Sequence, residues 1–340
     1  MSAEVYDGKA LVGKIVGRTR RAADRLRREH HIEVGLGILL VTGDQVTMAD
    51  SAKIASIAEQ AGIKVELERV AQRNIARRFY PTLEEYAESP FIQGIYVQLP
   101  LPTEIVPLEE VMRRLPPMKD VAGLHFINRG KSTYPSREVG AVVHPPELSA
   151  VAATLRECGV RLNGGKLVIV ASEATAGTAK LLAGYLYDHG SHVRLVRYSA
   201  LQGVSIGQGQ RALKVLEPET VPEESPVLNP EGEPVITWTN QPGWLTRSRL
   251  APGCVVVDMG YKFARGKVSG DCDFPSVAHT ARVLTPVPGG VRNIVHAMIL
   301  QNLINLINTQ LGSADRPEQT DLQRRFGSAA SNLSRRLRGN

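Results

Sequence analysis

The sequence predicts an α/β fold in two units, because strand-like apolar runs alternate with helix-like segments in two separate parts of the chain. In the first part, the strand-like runs are 34–41, 63–70 and 94–99. In the second part, they are 166–170 and 192–196. Strand–helix–strand repeats of this kind form parallel sheets that are covered by helices. At 340 residues the chain is also too long for one small core, so we expect two domains.

The composition is that of a globular protein, with 43% hydrophobic and 22% charged residues. The net charge is +7, and much of the basic excess lies in two arginine-rich segments, at 18–28 and 324–338. Aromatic residues make up only 5%, and no helix-turn-helix, RNA-recognition or zinc pattern is present, so nucleic acid is not a favoured partner. A solvated basic face, or attraction for an anionic ligand such as a polyglutamate, explains the charge as well.

The cysteine pattern predicts a cytoplasmic protein with reduced thiols. Cys158, Cys254 and Cys272 are odd in number and far apart, which suits neither a disulfide framework nor a metal site. The sequence has no apolar run long enough to cross a membrane and no signal-peptide pattern. We therefore expect neither a bound metal nor a membrane partner.

The helices of the first unit are indicated by their apolar periodicity and by their ends. Residues Lys9 to His30 form one amphipathic pattern, and Met48 to Gln60 form another, which Gly62 ends. A third helix is predicted from Tyr80 to Ala87. A fourth is predicted to begin at the N-cap Thr103 and to run through Arg114.

The stretch from Gly94 to Pro102 is the part of the first unit that most suggests a ligand site. Its apolar strand reaches Gln98 just before Pro100 and Pro102, which stop a strand and fix the turn. Ligands of open α/β sheets bind outside the carboxyl ends of the strands, so an uncharged amide here suits a planar polar ligand. The alternative is a core strand that happens to end in glutamine, and this stretch alone favours that alternative.

The second unit contains the pattern in which a dinucleotide normally binds. A proline-bounded linker at 135–146 is followed by a helix from Pro146 to Cys158. The strand at 166–170 then runs into the segment 171–177, which opens a helix that ends near Tyr187.

The rest of the chain offers fewer indications of function. Residues 201–233 are rich in Gly, Pro, Glu and Gln, and we expect a surface excursion without a motif. Strands are predicted at 234–240 and 254–259, followed by a long apolar helix from Asn293 to Leu311. After Gly312 the tail is polar and basic.

Several segments, in chain order, resemble the methylenetetrahydrofolate dehydrogenase/cyclohydrolase family. They are "DGK" (7–9), "GIYVQLPLP" (94–102), "KDVAGLH" (119–125), "VVVDMG" (255–260), "GDCDF" (270–274) and "TPVPGGV" (285–291). The resemblance implies two α/β domains around a cleft, the second a Rossmann-like doubly wound parallel sheet that binds NADP. It also implies a homodimer and a ligand that is a 5,10-methylene or 5,10-methenyl tetrahydrofolate.

The resemblance implies these domain limits. The folate-binding catalytic domain takes residues 1–145 and returns at 288–312. The Rossmann-like domain takes 146–287, with an insertion near 201–233, and a basic tail follows at 313–340.

The helix after the first strand departs from the family at two positions that carry chemistry. The family has a Tyr-x-x-x-Lys pair there, whose tyrosine stacks on the pterin and whose lysine assists proton transfer during ring opening. Counting back from Gly62 places Asp50 at the tyrosine and Ile54 at the lysine. Lys53 is adjacent, but one residue rotates a helical side chain by about 100°. Only a shifted helix brings Lys53 into the site, and a surface lysine is the alternative.

The folate pocket keeps part of the family pattern. Gln98 matches the glutamine that pairs with the family lysine, and Asp120 matches the first aspartate of the family loop "KDVDG". The second aspartate, which hydrogen-bonds the pterin, is Ala122 here, so we expect weaker or altered folate binding. The catalytic candidates are Lys53, Gln98 and Asp120. The expected substrate-binding residues are Asp50, Gln98, Leu99, Pro100, Asp120, His125, Pro288, Gly289 and Gly290.

The dinucleotide loop departs further from the family motif "GRSxxVGxP". Counting back from Gly177 places Ala171 at the first glycine, Ser172 at the arginine and Glu173 at the serine. Glycine permits close approach of the backbone to pyrophosphate, and a carboxylate at a helix N-terminus repels phosphate. Ser172 and Gly177 are the cofactor-binding candidates, and we expect NADP binding to be weakened or lost. In the last loop, Arg292 replaces a family glycine and adds a cation near the cleft.

Three functions remain open on the sequence. The first is a protein that binds a one-carbon tetrahydrofolate without hydride transfer and uses the carbon in another reaction, with a second small-molecule acceptor. The second is an NADP-dependent methylenetetrahydrofolate dehydrogenase/cyclohydrolase with unusual loops. The third is a non-catalytic scaffold that interacts through residues 201–233 and the basic tail. Folate binding separates the first from the third, and NADP binding separates the second from both.

Overall fold

The computed structural model of the protein describes residues 2–41, 45–133, 143–198, 219–220, 227–264 and 266–314. These residues form two parallel β-sheets with helices packed on them, together with one short antiparallel hairpin. The predicted α/β class and its Rossmann-like second sheet are confirmed.

The first half of the chain builds a three-stranded parallel sheet in which β2 lies between β3 and β4. Its elements are β1 (Glu4–Val5), α1 (Lys9–His30), β2 (Gly35–Val41), α2 (Gln45–Gln60), β3 (Lys64–Val70), α3 (Ile75–Glu88), β4 (Gly94–Val97), α4 (Leu108–Arg114) and α5 (Phe126–Thr133). All seven residues of β2 are buried, as expected of a central strand covered on both faces.

The second half builds a larger parallel sheet, whose described strands have the order β1-β12-β9-β8-β5-β6-β7. Its elements are α6 (Pro146–Glu157), β5 (Lys166–Ala171), α7 (Ala176–Asp188), β6 (His192–Arg197), β7 (Glu219–Thr220), β8 (Val235–Trp238), β9 (Val255–Asp258), β10 (Lys262–Ala264), β11 (Lys267–Ser269), α8 (Phe274–Ala278), β12 (Val283–Leu284) and α9 (Val291–Ala314). Strands β10 and β11 pair antiparallel outside this sheet.

The N-terminal strand pairs with the second sheet. Glu4 is in register with Val283 and Val5 with Leu284, so β1 extends the edge of the sheet beside β12. The predicted first domain, 1–145, includes this strand, although its backbone pairs with the second sheet. A two-residue strand carries too little pattern for its distant partner to be predicted.

The last helix, α9, is the centre of the core. It packs against α1, α2 and α6. Ile294, Ala297, Ile299, Leu300 and Leu303 are fully buried, on more than one side of the helix. A helix that is apolar nearly all round is an interior helix. Arg292 lies in the first turn of this helix.

Two predicted helix starts differ from the structure, and a proline lies near each predicted start. Helix α4 begins at Leu108 rather than at Thr103, since Pro107 disfavours a helical conformation at the residue before it. Helix α3 begins at Ile75 rather than at Tyr80, and it includes Pro81. The predicted excursion at 201–233 and the basic tail lie largely outside the described residues.

No helix in the described ranges is both long enough and apolar enough to cross a membrane. The same ranges contain no group of three or more His, Cys, Asp and Glu side chains that could hold a metal ion.

Candidate active site

A cavity of about 1000 Å³ lies between the two sheets. Its walls come from the segments that follow the carboxyl ends of β4, β5, β6, β8, β9 and β12, and from helices α2, α6 and α9. This is the place where open α/β sheets bind ligands. The volume is at the upper end of the range for small-molecule sites, so it is large enough for more than a small metabolite.

Two proline-containing loops line the cavity. Leu99 and Pro100 line it after β4, and Pro288, Gly289 and Gly290 line it before α9. The bonds Leu99–Pro100 and Val287–Pro288 are both cis. Gly289 has a φ of 108°, which favours glycine, and a Cβ at Gly290 would lie 2.6 Å from the carbonyl oxygen of Pro286. Both glycines are therefore required by the backbone of the loop.

An ion pair joins helices α2 and α9 at the cavity wall. Arg292 donates to Asp50 Oδ2 through Nε, at 3.1 Å, and through Nη2. On the other side of the carboxylate, His296 Nε2 lies 3.5 Å from Asp50 Oδ1. The side chains of Asp50 and His296 are almost fully buried, whereas that of Arg292 is 36% exposed and lines the cavity.

The charges in this cluster are fixed by their neighbours. Burial raises the pKa of the Asp50 carboxyl, but His296 and Arg292 outweigh that effect, and the net shift is downward. Burial lowers the pKa of His296, and Asp50 opposes it only in part. The cluster therefore favours an ionised aspartate, a charged arginine and a neutral imidazole at neutral pH.

A tyrosine from the loop after β9 also contacts Arg292. The guanidinium carbon of Arg292 lies 4.6 Å from the centroid of the Tyr261 ring, a cation–π distance. Tyr261 is fixed in turn, because its backbone N–H donates to Asn240 Oδ1 at 2.9 Å. The two halves of the chain thus meet across the cavity through Arg292.

Comparison with known proteins identifies the family. Residues 6–122 match the family model of the tetrahydrofolate dehydrogenase/cyclohydrolase catalytic domain, and residues 222–311 match that of the NAD(P)-binding domain. This chain belongs to the tetrahydrofolate dehydrogenase/cyclohydrolase family. Family members include the bifunctional protein FolD of Desulforamulus reducens, which is 26% identical over 312 residues, covering 92% of this chain and 99% of that protein.

Solved family structures share the fold. The FolD enzyme of Campylobacter jejuni superposes with a TM-score of 0.69 at 24% identity, covering 90% of this chain and 99% of its own. The enzyme of Trypanosoma brucei, solved with NADP and an inhibitor, gives 0.71 at 22% identity, covering 92% and 99%. At these identities the likeness establishes the fold alone.

The cavity coincides with only part of the predicted folate site. Of the predicted substrate-binding residues, Asp50, Leu99, Pro100, Pro288, Gly289 and Gly290 line it, whereas Gln98, Asp120 and His125 do not. Asp50 is paired with Arg292, so its carboxylate is already engaged.

Gln98 lies buried behind the cavity wall. Its Oε1 accepts a hydrogen bond from Ser51 Oγ at 3.2 Å, and its Nε2 donates to the carbonyl oxygen of Leu99 at 2.8 Å. Ser51 on α2 thus contacts the amide that the resemblance pairs with the family lysine. The amide also fixes the first residue of the proline loop.

Asp120 is fully buried and holds the loop before α5. Its carboxylate accepts from the backbone N–H groups of Ala122 (3.1 Å) and His125 (2.8 Å), and from Asn128 Nδ2 (2.9 Å). His125 Nδ1 accepts from the N–H of Ile127 at the start of α5. In the structure as described, both side chains satisfy local backbone groups.

The family lysine position is part of the core. Ile54 is fully buried, while Lys53 is exposed and does not line the cavity. The described helix α2 shows no shift that would bring Lys53 into the site.

In the predicted dinucleotide loop after β5, the Thr175 side chain forms hydrogen bonds with backbone groups. Thr175 Oγ1 accepts from the backbone N–H of Ser172 at 3.1 Å and donates to the carbonyl oxygen of Trp238. Glu173 is 84% exposed, and its carboxylate lies 3.7 Å from Arg197 at the end of β6. Ser172 and Glu173 line the cavity, whereas Gly177 is exposed in the first turn of α7 and does not.

Sequence reasoning missed two carboxylates that line the cavity, Glu147 and Asp258. Burial raises the pKa of Glu147, in the first turn of α6, and the hydrogen bond from its own backbone N–H opposes that shift only in part. Burial, and then the charge of Asp271, raises the pKa of Asp258 to about 6. Asp258 accepts from the backbone N–H groups of Gly260, Asp271 and Cys272, so it organises the loops beside β9. Asp258 lies within the segment 255–260 that carries the family resemblance, but nothing in that segment predicts that its carboxylate lines the cavity.

Proposed function

We propose that this protein is an enzyme that binds a 5,10-methylene or 5,10-methenyl tetrahydrofolate, has lost hydride transfer, and uses the carbon in a different reaction. The observation that carries the proposal is the ion pair between Asp50 and Arg292 on the cavity wall. It lies where the resemblance expects a tyrosine on α2 and a glycine at the start of α9.

The folate half of the cavity supports retained ligand binding. The apolar segment of Leu99 and Pro100 and the tight loop of Gly289 and Gly290 both line the cavity. A pterin is planar and edged with polar groups, and such molecules bind in apolar clefts with a few polar contacts. Gln98 supports this wall from behind through its bond to Leu99.

The chemistry at α2 supports a changed reaction. A lysine transfers protons when its pKa is lowered, but an arginine stays protonated in proteins. Ile54 in the core cannot carry a proton, and Arg292 can only supply a fixed positive charge. The ring-opening step that the resemblance assigns to lysine therefore lacks its acid–base group.

The second half of the cavity supports weakened dinucleotide binding. Thr175 already occupies the N–H of Ser172, which a pyrophosphate would need, and the Glu173 carboxylate stands at the same opening. Arg197, the cation at the end of β6, lies beside Glu173 and is partly neutralised by it.

An NADP-dependent dehydrogenase/cyclohydrolase is the second candidate. The match of residues 222–311 to the NAD(P)-binding domain of the family favours it, and so does a cavity that extends along the carboxyl ends of β5, β6 and β8. A non-catalytic scaffold is the third.

Calorimetric titration of the full chain with 5-formyltetrahydrofolate, followed by NADP in the same cell, separates the three. We expect folate binding without NADP binding. Binding of both ligands would contradict the proposal and favour the dehydrogenase. Binding of neither would contradict it in favour of the scaffold.

A further inference from the structure

Two side chains of opposite charge face the cavity without pairing with each other. Arg292 and Glu147 both line it, and no hydrogen bond or ion pair joins them. Each nevertheless lies near enough for its charge to shift the pKa of the other. A cation and a carboxylate that line one cavity without pairing form the complement of a small molecule that carries both charges.

The guanidinium of Arg292 is oriented before any ligand arrives. Its Nε and Nη2 engage Asp50, which uses the side edge of the planar group. The ring of Tyr261 lies 4.6 Å away and fixes the plane. An arginine has five N–H donors, so the end edge, which includes Nη1, is left to the cavity. Such an edge matches a carboxylate with two parallel hydrogen bonds.

Glu147 is the corresponding acceptor. Its carboxyl lies in the first turn of α6, beside its own backbone N–H, and no salt bridge joins it to a basic side chain of the described residues. Burial raises the pKa of this carboxyl, and the hydrogen bond from its own backbone and then the charge of Arg292 compensate only in part. A ligand ammonium group would supply a close counter-charge and further donors.

We propose that Arg292 and Glu147 together bind a small zwitterionic amino acid, with its carboxylate on the free edge of Arg292 and its ammonium group on Glu147. The binding of an amino acid at this site is argued from the residues that line the cavity. That the bound amino acid is the one-carbon acceptor rests in addition on the proposed function. The cavity volume of about 1000 Å³ is consistent with a second small molecule beside a pterin.

The test begins with thermal-shift measurements on the full chain in the presence of each of the twenty standard amino acids. The amino acid that gives the largest stabilisation is then titrated by calorimetry, with acetate and methylammonium as probes that carry one charge each. We expect at least one amino acid to bind and both half-probes to bind at least tenfold more weakly.

Variants assign the binding to the two side chains. Arg292→Lys keeps the positive charge but loses the paired N–H donors of the guanidinium. Glu147→Gln keeps the shape of the side chain but loses its negative charge. Each variant is expected to bind the amino acid at least tenfold more weakly. Glu157→Gln, on the same helix but outside the cavity, is the matched control and is expected to bind as the wild type.

The inference is overturned if none of the twenty binds, or if binding survives both substitutions. A parallel titration with 5-formyltetrahydrofolate separates the two proposals. Folate binding without amino-acid binding removes only the zwitterion site. Amino-acid binding without folate binding removes the proposed function and leaves the site.

Discussion

Arg292 at the start of α9 contacts the carboxylate of Asp50 on α2, although the two residues stand 242 positions apart in the chain. The contact uses two nitrogens of the guanidinium and one carboxylate oxygen. It places a permanent positive charge on the wall of the cavity, held by a buried negative one. The consequences for stability, ligand binding and catalysis can each be measured.

Removing one member of this pair should destabilise the protein. Arg292→Gln leaves the buried Asp50 carboxylate without its main counter-charge, and we expect a loss of about 2 kcal/mol in the free energy of unfolding. Asp50→Asn combined with Arg292→Gln should recover at least half of that loss, because no charge is then left unpaired. Urea unfolding measures both. Lys53→Ala, an exposed change on the same helix, is the control. If Arg292→Gln has the same free energy of unfolding as the wild type, the pair contributes nothing to stability.

The pairing itself was beyond sequence reasoning. Arg292 was recognised as an added cation near the cleft, but its partner depends on how α2 and α9 pack, which no local pattern encodes. The central strands and helices were predictable because their apolar periodicity is strong. Glu147 had no motif around it, and only the tertiary fold brings it to the cavity.

The predicted folate residues show the same limit. Leu99, Pro100 and the Pro-Gly-Gly loop were located by motif, and the structure places them on the cavity wall. The motif also predicts Asp120 as a site residue, but its carboxylate accepts hydrogen bonds from three neighbouring donors. A motif predicts where a residue lies in the chain, whereas the direction of its side chain depends on tertiary contacts that the motif does not encode.

Gln98 should be required for folate binding. Gln98→Ala removes the hydrogen bond to the carbonyl of Leu99 and leaves the hydroxyl of Ser51 without its acceptor, so the proline loop loses its support. We expect the affinity for 5-formyltetrahydrofolate to fall at least tenfold by calorimetry. Gln60→Ala, on the exposed end of α2, should have no effect. Equal affinity in the Gln98 variant would mean that the pocket lies elsewhere.

Two substitutions in the predicted dinucleotide loop should increase the affinity for NADP. Ala171→Gly together with Glu173→Ser restores space for the backbone, removes a carboxylate from the opening and releases Arg197. We expect NADP affinity to rise at least tenfold in a direct titration. Glu59→Ser on α2 removes the same kind of charge far from the loop and should change nothing. Unchanged NADP affinity in the double variant would contradict the proposed repulsion between Glu173 and the cofactor phosphates.

Asp258 should make stability fall as the pH rises from about 4 to about 6. Its pKa is about 6 in the folded protein, above the ordinary value, so folding favours the protonated form. The resulting penalty is absent below about pH 4, grows through this window and is complete above it, at up to about 3 kcal/mol. The free energy of unfolding of Asp258→Asn minus that of the wild type should therefore increase across the window. A flat Asp258 series would contradict the raised pKa.

The most direct test of the account is the dehydrogenase reaction itself. The full chain is incubated with 5,10-methylenetetrahydrofolate and NADP, and NADPH is followed by its absorbance, after calorimetry has shown that the same preparation binds 5-formyltetrahydrofolate. The account predicts folate binding with no NADPH formed above the rate without enzyme. Steady formation of NADPH by the wild-type protein would contradict it.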